Sequence, residues 1–200
     1  MNTLAKSTFA DLLGSISDRT PAPGGGAVAS AAGALGAALG GMVMGYSDRS
    51  ADREELAEAA CAMHRARDVL LELAQEDADA YALVTELKKL EKGDPRRDEL
   101  PAAQAAALGV PLAVIAVAID LLRLFEAVAP KSNTWLLSDL AIAAILADAT
   151  VRASGWNVAV NLPSHPDRDE ARRVDDSCRA TVAESAQRLE RIESACCVRG

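Results

Sequence analysis

Aromatic side chains are scarce in this sequence: Phe, Tyr and Trp make up 3% of 200 residues, although 50% are hydrophobic. The apolar content is therefore mostly Ala, Leu and Val, which favours closely packed helices over a β-sandwich or barrel. Cysteine is also sparse. The four present include the adjacent pair Cys196-Cys197 but no Cys-x-x-Cys. That removes support for a zinc knuckle or dithiol redox motif and fits reduced thiols. Two histidines give no basis for a His-centred ligand cluster or a Ser-His-Asp arrangement. Excess positive charge is absent too. The formal net charge of -8 argues against nucleic acid and anionic membranes as partners. The opening "MNTLAKSTFADLLG" lacks a basic stretch followed by an apolar one, so it does not read as a secretion signal, and the expected location is cytoplasmic.

What is present is helical periodicity. Helices are expected over residues 3–17, 27–46, 51–91, 101–129, 138–160 and 167–197, separated by Pro, Gly and charge-rich breaks. Asp48 or Ser50 would cap the third helix. Pro111 removes a donor from the fourth and clashes with its preceding turn, which predicts a kink or a break near Gly109–Pro111. The reading is one all-α domain over residues 1–200, a bundle of about six helices with a Gly/Ala-rich central helix. Three segments (27–46, 105–122 and 140–151) are very apolar. The first is built from weakly inserting Ala and Gly, the second meets Pro111 and Asp120, and the third is flanked by Asp139 and Asp148. Central helices buried on all sides explain them better than membrane spans, and a homo-oligomer would cover the faces that a small bundle leaves open.

The stretch "TPAPGGGAVASAAGALGAALGGMVMGY" (20–46) concentrates the glycines. Ala29, Gly33, Ala37, Gly41 and Gly45 recur every four residues, with Gly36 and Gly40 beside them. Such rows of small residues let helix backbones approach closely. "PAPGGG" reads as a tight turn first and as an anion site second, since glycines before a helix expose backbone N–H groups at its positive end. No Gly-Lys-Ser/Thr follows, so a nucleotide P-loop is excluded.

The same stretch resembles the Pro-x-Pro-Gly-Gly-Gly signature of the formiminotetrahydrofolate cyclodeaminase and methenyltetrahydrofolate cyclohydrolase family. The resemblance continues in order through "EDADAY" (76–81), "GVPL" (109–112), "SNTWLLSDLAIAAILADA" (132–149) and "WNVAVNL" (156–162), and so covers nearly the whole chain. It implies an all-helical homodimer with a folate site in a cleft associated with the dimer, and no metal or redox cofactor. Two reactions are implied. One opens 5,10-methenyltetrahydrofolate with water to 10-formyltetrahydrofolate. The other closes 5-formiminotetrahydrofolate and releases ammonia. The cyclohydrolase is preferred because no formiminotransferase segment accompanies this chain. A changed, non-folate substrate or a noncatalytic assembly role on the same scaffold are the alternatives. Three departures motivate them: Ala27 where the family usually has Ser, no lysine in "GYSDRSADR" where a Gly-Lys pair is frequent, and bulky Trp135.

The chemistry passes through cationic and tetrahedral species, for which a carboxylate is the natural partner. Candidates are Asp77 and Asp139, matched to family positions, and more weakly Asp79. Their bland readings are solvated helix acids and, for Asp139, a first-turn acid favoured by the dipole. Pro23, Gly24, Gly25 and Gly26, with Asn133, Asn157 and Asn161, are the candidate substrate-binding residues. Asn offers both donor and acceptor to a pterin edge, although Asn133 and Asn161 also suit helix ends. A glutamate tail would meet the glycine turn and Arg49, Lys131 or Arg152. His64 is expected on the surface, and His165 near the site only if the Asn161 end is.

Overall fold

The computed structural model describes residues 4–47 and 51–197. Among these are six α-helices and no strand: α1 (Phe9–Ser17), α2 (Gly25–Gly45), α3 (Arg53–Lys89), α4 (Leu100–Val128), α5 (Leu137–Asn161) and α6 (Arg168–Cys196). The all-α expectation holds, with shifts at the ends. The first helix is expected from residue 3, which lies outside the described residues; α1 begins at Phe9. Thr8 caps it at Phe9 through a capping box with Asp11, and a separate single turn precedes it. The candidate caps Asp48 and Ser50 lie outside the described residues. α6 starts where Asp167 accepts the Asp169 and Glu170 amides.

The bundle is organised around α2, which packs antiparallel to both α3 and α5, with α4 behind them and α6 against α5 and α4. Its large buried side chains are few, so contact is made by what is missing. A Cβ on Gly33 would sit 3.0 Å from Leu70 and 3.0 Å from Thr150; one on Gly40 would sit 2.4 Å from Phe125 and 3.1 Å from Met63. On Gly36 it would meet the Ala143 carbonyl oxygen at 2.9 Å. The row facing α3 therefore runs Gly26, Gly33, Gly40, in seven-residue steps against Asp77, Leu70 and Met63. Of the four-residue row that the spacing picked out, Gly33 and Gly41 also meet α3, at Leu70 and at His64, whereas Gly45 faces open space. A seven-residue repeat keeps one seam of a helix turned toward its partner.

α4 runs through Pro111 without interruption, so the expected break is absent. The carbonyl that Pro111 leaves without a partner is that of Ala107, and the Asn161 side chain donates to it at 2.9 Å. Segments containing α2, α4 and α5 are each long and apolar enough to cross a membrane by length and composition. Within the bundle their apolar sides pack on one another, around a core that includes Val43, Leu70, Leu122, Phe125, Leu140 and Val151. Asp148, buried in α5, accepts from Ser185 on α6 at 2.8 Å and pairs with Arg152. The outward faces of α2 and α5, helices that lie side by side, remain apolar: Val28, Leu35 and Met42 on one, Ile142, Ile145, Trp156 and Val160 on the other are exposed.

Gly36→Ala places a methyl against backbone that cannot rotate away. It is expected to cost about 1–3 kcal/mol, seen as a fall of several degrees in the thermal midpoint. An unchanged midpoint would show that α2 and α5 are not held at this spacing.

Candidate active site

The "PAPGGG" turn and the first residues of α2 form one wall of a cleft of about 600 Å³. Gly24 is the residue before the helix, and Gly25 and Gly26 are its first two members. The glycines thus form the helix start rather than preceding it. α3 supplies the opposite wall with Asp77, Tyr81, Thr85, Lys88 and Lys89. These positions recur every three to four residues and so share a helix face. The end of α5 contributes Asn157, Val160 and Asn161, and α4 contributes Ala107. A cleft of this volume suits a ligand of drug or cofactor size.

Asp77 sits where the glycine row ends. A Cβ on Gly26 would lie 2.1 Å from Asp77 Oδ1 and 2.3 Å from its Cγ, so only glycine admits the carboxylate at this place. Burial pushes the Asp77 carboxyl above the ordinary aspartate value, and a hydrogen bond from the Ala27 amide only partly offsets the rise. The Ala27 departure therefore bears on a side chain, whereas the contact to Asp77 is made by backbone. Asn157 faces the same space, with its Oδ1 4.0 Å from where a Gly25 Cβ would be. Pro23 lies in the turn between the lining residues Ala22 and Gly24, after a cis peptide bond.

The fold does not bring all the candidates together within one chain. Asn133 donates to the Tyr46 carbonyl at 3.0 Å, and its amide donates to Ser47 at 2.8 Å. It therefore lies at the far end of α2, about 30 Å from the glycine turn for a helix of this length. Asp139 is in the first turn of α5, at that same end, and Trp135 beside it is 89% exposed. Asp79 points to solvent and accepts from Gln75. Lys131 pairs with Glu55 and Arg152 with Asp148, neither of them lining the cleft, and Arg49 is outside the described residues. The cations that do line it, Lys88 and Lys89, escaped the sequence reading. The spacing of Asp77, Tyr81, Thr85 and Lys88 along one helix face was the signal available for them. His64 is exposed over Gly41; His165 lies in a smaller neighbouring pocket that shares Asn161.

All four cysteines are free, and burial raises the Cys178 and Cys196 thiols away from the reactive thiolate. Among the described residues no three His, Cys, Asp or Glu side chains gather into a metal-holding group.

These features define a small all-helical protein whose site is a half-buried carboxylate at a helix N-terminus, faced by two carboxamides. Such a site can exchange a proton at the carboxylate and meet both donors and acceptors of a ligand at the carboxamides. A model of the family described as Formiminotransferase-cyclodeaminase matches residues 8–180, and the chain belongs to that family. A methenyltetrahydrofolate cyclohydrolase of Methylorubrum extorquens is 32% identical, over 92% of this chain and 93% of that protein. A formimidoyltransferase-cyclodeaminase of Mus musculus is 35% identical over 74% of this chain, which corresponds to 29% of the longer mouse protein. The crystal structure of formiminotetrahydrofolate cyclodeaminase from Thermotoga maritima superposes with a TM-score of 0.83 at 30% identity, covering 94% of this chain and 96% of that one.

Gly26→Ala displaces the Asp77 carboxylate by an ångström or more while leaving the glycine row below intact. Misplacement on this scale is expected to lower turnover by about 100-fold, with the helical circular dichroism spectrum preserved. Turnover within threefold of the parent would show that the close approach is not needed.

Proposed function

We propose that this protein is a methenyltetrahydrofolate cyclohydrolase, which converts 5,10-methenyltetrahydrofolate and water to 10-formyltetrahydrofolate. The observation that carries the reading is Asp77: a carboxylate with a raised pKa, held at a helix N-terminus inside a cleft. The match along nearly the whole length of a cyclohydrolase supports it.

In the forward direction the carboxylate faces the cationic bridge between N5 and N10. It takes one proton as water adds to the bridge carbon, giving a neutral tetrahedral carbinolamine. The C–N5 bond then breaks, N5 receives the proton from Asp77, and the hydroxyl proton leaves to solvent as the formyl group forms. The oxidation level of carbon does not change, and the chain's own carboxylate accounts for the proton traffic without a cofactor. A raised pKa suits both halves, because the same group must accept and return a proton near neutrality. Asn157 and Asn161 face the pterin edge. Lys88 and Lys89, about 17 Å along α3 from Asp77, face the carboxylates of the glutamate tail.

The cyclodeaminase reaction is the second reading, favoured by the close superposition on the Thermotoga maritima cyclodeaminase. There the same proton would leave with ammonia. Following methenyltetrahydrofolate absorbance separates the two: consumption from the methenyl form supports the first, and its appearance from the formimino form supports the second. Neither change, with no folate binding, would sink both.

Asp77→Asn is expected to lower turnover by about 100-fold or more. The same change should raise the thermal midpoint at pH 7. An acid whose folded pKa is raised takes up a proton on folding; its contribution is fully present below the unfolded value and is lost as pH rises through the folded one. At pH 7 the ionised carboxylate therefore opposes folding, and Asn relieves it. For the same reason the acid limb of the wild-type rate profile should fall above the range of a free aspartate.

The working form on this reading is a cytoplasmic homodimer closed through the exposed apolar faces of α2 and α5, since patches of this kind mark interfaces. Two copies related by a two-fold axis across the middle of α2 would run antiparallel. That pairing carries Asn133 and Asp139 of the second copy toward the glycine turn and Asp77 of the first. Mixing Asp77→Asn with Asp139→Asn protein after denaturation and refolding tests it. Recovery of roughly a quarter of wild-type activity is expected, because half the dimers are mixed and each has one intact site. No recovery, or a monomer in sedimentation at micromolar concentration, would rule the shared site out.

A further inference from the structure

Pro111 sits in the middle of α4 and is buried, yet the helix continues through it. Because proline has no N–H, the Ala107 carbonyl one turn earlier has no helical donor. Asn161, the last residue of α5, supplies one: Nδ2 donates to the Ala107 carbonyl at 2.9 Å and to the Asn157 carbonyl at 3.0 Å. A carboxamide nitrogen carries two hydrogens, so both are engaged, and Oδ1 remains as an acceptor only. Among the described residues nothing in the protein donates to it. Ala107, Asn157 and Asn161 all line the cleft that contains Asp77.

We propose that Pro111 is a positioning residue for the cleft: by freeing the Ala107 carbonyl it captures the Asn161 nitrogen, and so fixes Asn161 Oδ1 as an acceptor for an N–H group of the ligand. The two carboxamides then differ in kind. Asn157 makes no side-chain hydrogen bond among the described residues and can present either end, whereas Asn161 is set one way and selects for a donor. The ligand class this calls for is a heterocycle with an N–H or amino group on its edge. The identity of that ligand as a folate rests on the function proposed above; the positioning of Asn161 does not.

Pro111→Ala returns an amide at helical spacing to the Ala107 carbonyl and competes with Asn161 for it. Alanine is the better helix former, so the variant should melt no lower than the parent. Its kcat/KM for methenyltetrahydrofolate should nevertheless fall about five- to tenfold, mostly through KM, the size of one net hydrogen bond. Asn161→Ala should fall at least as far, and the double variant no further than Asn161→Ala, since Pro111 acts through that side chain. A Pro111→Ala rate within twofold of the parent, or a double variant that loses the product of the two single effects, would overturn the proposal. A second measurement needs no ligand. Both Asn161 side-chain amide protons should exchange at least tenfold more slowly than those of a free carboxamide in the NMR spectrum, and Pro111→Ala should abolish this for the proton bonded to Ala107 while α4 backbone protection persists. Unprotected protons in the parent would overturn the proposal whatever the activity. Protection lost in Pro111→Ala, in a parent that neither binds nor turns over a folate, would keep the positioning and sink only the folate reading.

Discussion

The structure depends on the close approach of α3 to α2, which is possible because no Cβ stands at Gly26, Gly33 or Gly40. Each step of that seam does the same mechanical job with a different neighbour. Met63 and Leu70 fill the lower steps with core, and Asp77 fills the upper one with a carboxylate. Helix packing and site construction are thus one feature. The backbone spacing that the core requires is also what sets an acid against the N-terminus of α2. Glycine in a helix interior costs about 1 kcal/mol against alanine, and the tight contacts along the seam are the compensation.

Asp77 sits in opposing influences. Withdrawal from water favours its neutral form, while the Ala27 amide favours the ionised one, and the first is the larger. A fully solvated aspartate would hold its proton too weakly to return it near neutrality. One buried without a donor would not ionise. At the start of α2 both influences act on one carboxylate, and the donor is backbone, so it does not depend on which side chain follows the three glycines.

The proline in α4 shows how a local rule can be overridden by a distant partner. By itself Pro111 predicts an interruption, since it strips a carbonyl of its donor. In the fold that carbonyl is met from α5 by Asn161, fifty-four residues later in sequence. The unmet group is supplied from across the bundle, and the helix stays whole.

Several things were legible in the sequence because they follow from short-range pattern: the all-helical class, the approximate extents of the helices, the exclusion of a nucleotide P-loop, and the "PAPGGG" turn with Asp77 and Asn157 as companions through resemblance. Spacing also showed that small residues would meet other helices. It could not choose between four- and seven-residue rows, because both occur in the same stretch, and the choice depends on which neighbour arrives. The resemblance groups Asn133 and Asp139 with Asp77, whereas the antiparallel run of α2 against α3 and α5 sets them at opposite ends of the bundle. Lys88 and Lys89 had no assigned role in the sequence, because the end of α3 becomes a cleft wall only once α2, α4 and α5 stand beside it. Helix preference and the positions of the turns follow from the chain alone, since both are settled within a few residues by backbone sterics and side-chain periodicity. Which helix faces meet, which carboxylate is withdrawn from water and which carbonyl Asn161 completes required the assembled bundle, because each depends on groups brought together from far apart along the chain.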